Sequence, residues 1–361
     1  MHQIALAGRQ IGPDFPCFVI AEAGVNHNGE VKLAHRLIDA AADAGVDAVK
    51  FQTFDPDQVA APAAVKADYQ IEATGEEGAQ LDMLRRLTLP PPAYRELARH
   101  AADRGLIFLS TPFDRSSADF LRELGVPAFK VSSGDVTNHP FLEHLARAGL
   151  PLLLSTGMST LEEVARAVEV IRACGASSLA LFHCVSNYPA APGDCNLRAM
   201  ETMRSAFGAP VGWSDHTDGI DISIAAVALG ANLLEKHFTL DRNLPGPDHK
   251  ASLEPDELRD MVSAIRRVEA ALGDGVKRPV EAEIPIAVIG RRSLFWRTSL
   301  PVGALVTPDN LTALRPATGI SPAEQASLVG RRLARAVQAG EAVQWDDFPS
   351  PQVQAADGSD R

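Results

Sequence analysis

The chain has 361 residues, a formal net charge of -12, 46% hydrophobic and 22% charged residues, which describes an ordinary globular protein long enough for one large and one smaller domain. The acidic balance argues against nucleic acid as the main partner, because a polyanion calls for a basic surface; a small anionic substrate stays open if a few local Lys and Arg residues overcome the global field. No apolar run reaches membrane-span length and the start MHQIALAGRQIG lacks a signal-peptide pattern, so no membrane association and a cytoplasmic location are expected; Cys17, Cys174, Cys184 and Cys195 lack the spacing of a disulfide framework or structural zinc site.

Residues 3–16 read as a short strand or hairpin with Gly8, Gly12 and Pro13 as turn signals. The strand CFVIA follows and ends at Glu22, and a helix is predicted over Leu33–Ala44 from its apolar spacing. Strand–helix alternation then continues: a strand ending Lys50-Phe-Gln52, a helix Tyr94–Arg104, a strand ending Ser110-Thr111, a helix Ser117–Leu124, and a strand ending Lys130-Val-Ser-Ser133. Next come a helix Pro140–Ala148 and a strand to Ser155-Thr156, a helix Leu161–Cys174 and a strand to His183-Cys184, then a helix Leu197–Phe207 and a strand to Ser214-Asp-His216. Ile220–Leu229, apolar nearly all round, is expected to be well buried and precedes an eighth strand, LLEKH. The helix Pro255–Leu272 closes the series.

Eight strands alternating with helices predict an α/β fold, a (β/α)8 TIM barrel over residues 1–272. An open doubly wound sheet is disfavoured because no Gly-rich dinucleotide fingerprint follows the first strand. Every strand begins apolar and ends in an ionisable or hydroxyl residue, and in a barrel these ends converge on one mouth. The interruption from Asp55 to Pro90, with a helical pattern in GAQLDMLRRL, is expected to shape a pocket there. A Gly, Pro and charge-rich linker is expected over 273–285, a mainly β domain over 286–349, and a disordered tail over 350–361. Within that small domain the segments beginning at Gly303 and Gly340 match in spacing, each reading as a Gly turn, a short strand, and an Asp (Asp309, Asp346) capping one helical turn.

His216 and His237 end adjacent strands, and two such imidazoles can hold one divalent ion with open positions for water and substrate. The alternative is two hydrogen-bonded rim histidines; Cys184 could add a third ligand but is read as a packing residue. Lys50 and Lys130 could bind an anion or form a Schiff base. With the hydroxyls of Ser110, Thr111, Ser133, Ser155, Ser186 and Ser214 and nearby helix-start N–H groups, they suit a phosphate and a carboxylate. Glu22 is placed to move a proton or bind a hydroxyl.

The motifs AEAGVNHNG, VKFQTF, STPFD, FKVSSGD, LLLSTGMS, HCVSNYP, GWSDHT and EKHFTLDRNLPGPDHKASLEP together resemble the bacterial sialic acid synthases, the phosphoenolpyruvate-dependent nonulosonate synthases. The C-terminal domain is similar to that family's antifreeze-like (SAF) domain. The resemblance implies a carbon–carbon bond-forming transferase that condenses phosphoenolpyruvate with an N-acyl mannosamine-type aldose and releases phosphate by C–O cleavage. It implies His216 and His237 as ligands of a divalent metal, Mn2+ with Mg2+ or Co2+ as alternatives. Lys50, Thr111, Lys130, Ser133, Ser155, Ser186 and Ser214 fall where the family binds phosphoenolpyruvate, with Glu22, Lys50 and Lys130 as catalytic candidates. Glu22, Asp135, Tyr188, Asp248 and Arg315 fall at sugar-facing or catalytic positions. Arg315 resembles an arginine that reaches into a partner's barrel, which implies a domain-swapped homodimer.

Two departures bear on the acceptor: Asp135 stands where synthases of N-acetylneuraminate commonly show Glu, and Ser186 where some show Asn. The segment ADYQ followed by QLDML is similar to the legionaminate branch, which implies 2,4-diacetamido-2,4,6-trideoxymannose as acceptor, then N-acetylmannosamine, then pseudaminate-type sugars. The rival readings are a metal-free Schiff-base aldolase using Lys130 or Lys50 and, from another class, a catalytically inactive sugar-binding or antifreeze-like protein.

Overall fold

A computed structural model describes residues 3–67, 70–71, 78–176 and 178–350. The chain divides into two compact units, Met1–Asp274 and Gly275–Arg361. In the first unit a hairpin, β1 (Ile4–Leu6) and β2 (Arg9–Ile11), precedes eight barrel strands: β3 (Phe18–Gly24), β4 (Ala48–Thr53), β5 (Ile107–Pro112), β6 (Phe129–Val131), β7 (Leu152–Ser155), β8 (Leu179–Cys184), β9 (Val211–Asp215) and β10 (Leu233–His237). They pair in parallel in chain order, and β10 closes on β3.

Alternation along each strand builds two cores. Phe18, Ile20, Ala48, Leu109, Leu153, Ala180, Phe182 and Leu233 fill the barrel interior, and the hairpin adds Ile4, Leu6 and Ile11 to close its N-terminal end. Outward-facing Val19, Val49, Phe51, Leu152, Leu181 and Trp213 pack beneath the helices. Each such buried side chain contributes about 1.5–3 kcal/mol. With the interior filled from below, the polar strand ends are left at the C-terminal mouth. The register sets His237 opposite Glu22 and Glu22 opposite Lys50.

The helices follow their local signals. Leu161–Ala173 starts at a Thr160–Glu163 capping box and buries Val164, Ala167, Val168 and Ile171, one face at i, i+3, i+4 and i+7. Asp221–Ala228 departs from expectation: it buries Ser223, Ala226 and Val227, while Leu229 is 54% exposed. A helix in the outer layer of a barrel has one face on the strands, whatever the composition of the other. Among the described residues no helix is long and apolar enough to cross a membrane.

In the second unit the helix Glu283–Gly290 runs through position 286, where β structure is expected from the sequence. Pro285 lies in its first turn, where a missing N–H breaks no bond. Strands β11 (Ser293–Trp296) and β12 (Leu311–Leu314) pair antiparallel over a core that includes Leu294, Trp296, Val306, Leu328, Leu333, Val343 and Phe348. The matched segments both turn at left-handed glycines, Gly303 (φ 78°) and Gly340 (φ 85°), and both carry one helical turn, Pro308–Asn310 and Trp345–Asp347. Their caps are not the expected aspartates. Thr307 pairs with Asn310 and Gln344 with Asp347, because a one-turn helix offers its free N–H groups to the residue before it, and Asp309 and Asp346 already lie inside the turn. Asp68 and Tyr69 of the ADYQ segment, and 351–361 of the expected tail, lie outside the described residues.

Candidate active site

At the C-terminal mouth lies a cavity of about 470 Å3. The strand ends bring Glu22, Lys50, Thr111, Lys130, Ser133, Ser155, Ser186, Tyr188, Ser214, His216, His237 and Asp248 to its wall. Its outer wall comes from the interruption between β4 and β5, where Phe54, Val59, Met83, Leu84 and Leu87 present apolar surface. Met83 and Leu87 are anchored with Val25 and Phe54 in a small cluster of their own, through the helix Gln80–Arg86.

The floor is an ion network. Lys50 Nζ lies 2.7 Å from Glu22 Oε2 and donates to Thr111 Oγ1 at 3.0 Å. Lys130 Nζ donates to Ser155 Oγ at 2.6 Å and stands 3.5 Å from Glu235 Oε1. Glu235 takes a hydrogen bond from Ser214 Oγ at 3.1 Å, and its Oε2 is 3.8 Å from Lys50. Glu235 is the site residue that the sequence reading omits. Period-two alternation could have found it: if His237 faces inward, so does Glu235, while Lys236 faces out.

Two buried carboxylates in one network are driven apart. Burial pushes Glu22 up to about 7 against the pull of Lys50. For Glu235 burial also acts upward, but Lys130 and Lys50 outweigh it and hold the group below its ordinary value. Such a pair suits one group to carry a proton near neutrality and the other to stay ionised. Burial also depresses Lys130. Glu235 Oε2 is buried and makes no hydrogen bond among the described residues, while Glu22 Oε2 is buried against Lys50 as an ion pair.

Beside the lysines is a cradle around Gly157. Its N–H donates to Ser133 Oγ at 2.9 Å, and Ser133 Oγ is 3.3 Å from Cys184 Sγ. A Cβ on Gly157 would collide with Ser186 Oγ and come within 3.1 Å of Ser133 Oγ and 3.0 Å of Cys184 Sγ. Only glycine leaves room for hydroxyls and backbone to converge there.

Across the cavity, His216 and His237 face each other with ring centroids 5.4 Å apart. His216 Nδ1 donates to the Val185 carbonyl at 2.6 Å, so Nε2 carries the lone pair, toward which Tyr188 OH donates at 3.0 Å. His237 Nδ1 is buried with no hydrogen-bond partner among the described residues, 3.9 Å from Asp248 Oδ2. Burial brings His216 down to about 4, drives His237 well down, and raises Asp248 to about 6. Two neutral imidazoles fit a divalent cation: His237 Nδ1 has no hydrogen bond among the described residues, and His216 Nε2 would exchange the Tyr188 hydroxyl for the ion. Among the described residues no group of three or more His, Cys, Asp or Glu side chains could hold an ion by itself. A cation here would complete its shell with substrate and water.

Two sequence-predicted residues stand apart. Asp135 is not on the cavity wall; it sits in the turn Ser133–Asp135 and accepts from Asn138 Nδ2 at 3.0 Å. Arg315 is exposed in the second unit.

The fold and this mouth are those of a TIM-barrel enzyme with a lysine- and hydroxyl-lined cavity at the C-terminal ends of its strands. Residues 37–277 match the NeuB family and residues 291–349 match the SAF domain. The chain belongs to the NeuB family and carries a C-terminal SAF domain. It is 45% identical to the N,N'-diacetyllegionaminic acid synthase of Legionella pneumophila over 93% of this chain and 95% of that protein. It is 46% identical to the protein of the same name from Campylobacter jejuni over 87% and 94%. The crystal structure of the N-acetylneuraminic acid (sialic acid) synthetase of Leptospira borgpetersenii superposes with a TM-score of 0.70 at 36% identity, covering 79% of this chain and 95% of that one.

Proposed function

We propose that the protein condenses phosphoenolpyruvate with 2,4-diacetamido-2,4,6-trideoxymannose and water to give a nine-carbon 2-keto acid and phosphate, in the cytoplasm, as a homodimer using Mn2+. The observation that carries this reading is the floor network: two lysines, two carboxylates of opposed proton affinity and a glycine-lined hydroxyl cradle in one cavity. Lys50 and Lys130 would hold the phosphate and carboxylate of phosphoenolpyruvate, with the hydroxyls of Ser133, Ser155 and Ser186 around them.

C3 of phosphoenolpyruvate forms the new bond to the aldehyde carbon, whose oxygen takes up a proton. Positive charge develops at C2, and water adds there with loss of a proton. The C2–O bond to phosphate then breaks, its electrons leave with phosphate, and the C2 hydroxyl gives up its proton as it becomes the keto group. Glu235, kept ionised between the lysines, would steady the charge at C2, and Glu22 Oε2 would hold or release the proton. His216 and His237 would hold the cation, which when bound supplies Lewis-acid polarisation of the acceptor carbonyl. Tyr188 and Asp248, next to the histidines, would orient the open-chain sugar.

The acceptor is inferred from Phe54, Val59, Met83 and Leu84, an apolar wall suited to acetamido methyls and a deoxygenated C6, and from the names of the two relatives. The homodimer is supported by Ile284, Ile286, Val288 and Ile289, each at least half exposed along one helix, as a partner surface would be; the partner's copy of Arg315 would complete the site.

The test is phosphate release with Mn2+ and a panel of aldoses. Release that needs both the metal and the diacetamido sugar is expected. Release with N-acetylmannosamine alone moves the acceptor, and a pyruvate adduct trapped on Lys50 or Lys130 by borohydride replaces the mechanism.

A further inference from the structure

Immediately behind the two histidines lies a second buried ion pair that takes no part in the cavity. Lys236 and Asp215 are both wholly buried, 3.1 Å apart, and directly opposite each other in the β9–β10 register. They are the residues next to His237 and His216, on the outer face of their strands. No other barrel strand carries an Asp, Glu, Lys or Arg on that face among the described residues; the equivalent positions hold Ala23, Phe51, Val131 and Leu154, for example. A buried ion pair is seldom more stabilising than well-packed apolar side chains of similar volume, so stability alone does not account for its placement on these two strands.

The contacts show what the pair holds. Asp215 Oδ1 accepts from Thr217 N at 2.9 Å and Thr217 Oγ1 at 2.8 Å, closing a turn around His216. Asp215 Oδ2 accepts from Ser223 Oγ at 2.5 Å. From the neighbouring strand Lys236 Nζ donates to the Thr217 carbonyl at 2.5 Å. The residue before His237 thus grips the residue after His216. The His216 carbonyl in turn accepts from Ala190 N at 2.8 Å, in the segment that follows Tyr188. Backbone on both sides of His216 is tied to β10, and the two rings cannot shift independently.

We propose that Asp215 and Lys236 are positioning residues that fix the spacing of His216 and His237 for a shared divalent cation. This rests on the metal reading above, and the experiment separates the two. Mn2+ binding to the full-length protein is followed by the electron paramagnetic resonance signal of the free ion, alongside the thermal midpoint without metal. In Asp215→Asn with Lys236→Met both charges go, while the asparagine still serves Thr217 and Ser223. The expected result is a midpoint within a few degrees of the unaltered protein and a Kd for Mn2+ raised about 10-fold, the scale of outer-shell effects. Asp215→Asn alone, which leaves Lys236 on the Thr217 carbonyl, is expected to raise Kd about 3-fold by the same logic, and it decides the matter if the double variant does not fold. Unchanged affinity in the folded double variant, or in Asp215→Asn should the double variant not fold, overturns the positioning role and leaves the metal reading intact. If the unaltered protein binds no Mn2+, or His216→Ala binds it equally well, the metal reading falls and the assignment falls with it.

Discussion

The two ends of the barrel both bury charge, and they treat it differently. At the N-terminal end Asp47 accepts from Val19 N at 2.8 Å and Arg266 Nη2 at 3.0 Å and pairs with Arg9 Nη1 at 2.6 Å. Glu269 there accepts from Cys17 N and Arg266. This cluster ties the hairpin, β3, β4 and the helix Pro255–Leu272 together and leaves the carboxylates satisfied. At the C-terminal end Glu22 Oε2 is paired with Lys50 at 2.7 Å, but Glu235 Oε2 and His237 Nδ1 are buried without hydrogen bonds among the described residues. Buried polar atoms are normally paired, and those left waiting for a partner mark where a ligand belongs. The same fold thus spends its charges on cohesion at one end and on chemistry at the other.

The largest expected effect breaks the chemical end. Glu22→Gln keeps the shape and the contact with Gln52 but removes the titrating group, and kcat should fall about 1,000-fold while the thermal midpoint holds. A variant that unfolds early yet turns over normally would assign Glu22 to cohesion instead. Gly157→Ala comes next: its Cβ must displace Ser186, Ser133 or Cys184, and the KM for phosphoenolpyruvate should rise about 100-fold. Steady-state kinetics with varied phosphoenolpyruvate checks it, and an unchanged KM would remove the cradle from the anion site.

The satisfied end should respond in the opposite sense. Asp47→Ala leaves Val19 N without its acceptor and two partly exposed arginines without their shared anion, which should cost about 2–3 kcal/mol. Urea unfolding measures that loss, and kcat at full saturation should be unaltered. A matching fall in kcat would mean the two ends are coupled.

Much of this contrast is legible in the sequence, because strand polarity and period-two alternation are local. Glu22, Lys50, Lys130, His216 and His237 all lie within three residues of the C-terminal end of a strand, and all reach the cavity. What was not legible depends on side chains meeting across long separations. Cys17 and Glu269 are 252 residues apart, and although alternation turns Glu235 inward and Lys236 outward, no local pattern says that Glu235 meets Lys50 and Lys130 or that Lys236 meets Asp215. Asp135 is a candidate by resemblance alone, and in the turn after β6 its carboxylate accepts from Asn138. The helix Glu283–Gly290 was misread because eight nearly continuous apolar residues do not by themselves separate helix from strand.

The smallest effect sharpens the comparison most, because it concerns a carboxylate at the chemical end that is partnered like those at the other. Asp114 follows β5 and caps the helix Arg115–Leu124. It accepts from Ser117 N at 2.7 Å, Ser117 Oγ at 2.6 Å, Ser116 Oγ at 2.6 Å and Asp55 N at 2.8 Å. Burial alone would raise its proton affinity, but these bonds outweigh it and hold Asp114 below its ordinary value of 3.8. A depressed carboxylate adds stability that is complete above the unfolded value and lost as pH falls through the lower folded one. Asp114→Asn turns one accepting oxygen, which serves Asp55 N and Ser117 Oγ, into an NH2, so it should cost about 1 kcal/mol at pH 7, and the gap from the unaltered protein should narrow below about pH 4, with kcat unchanged throughout. Urea melts of both proteins at pH 7 and pH 3 check it. A constant gap would deny the ionised cap its role, and a fall in kcat would mean that position at the mouth, rather than a missing partner, is what makes a buried carboxylate functional.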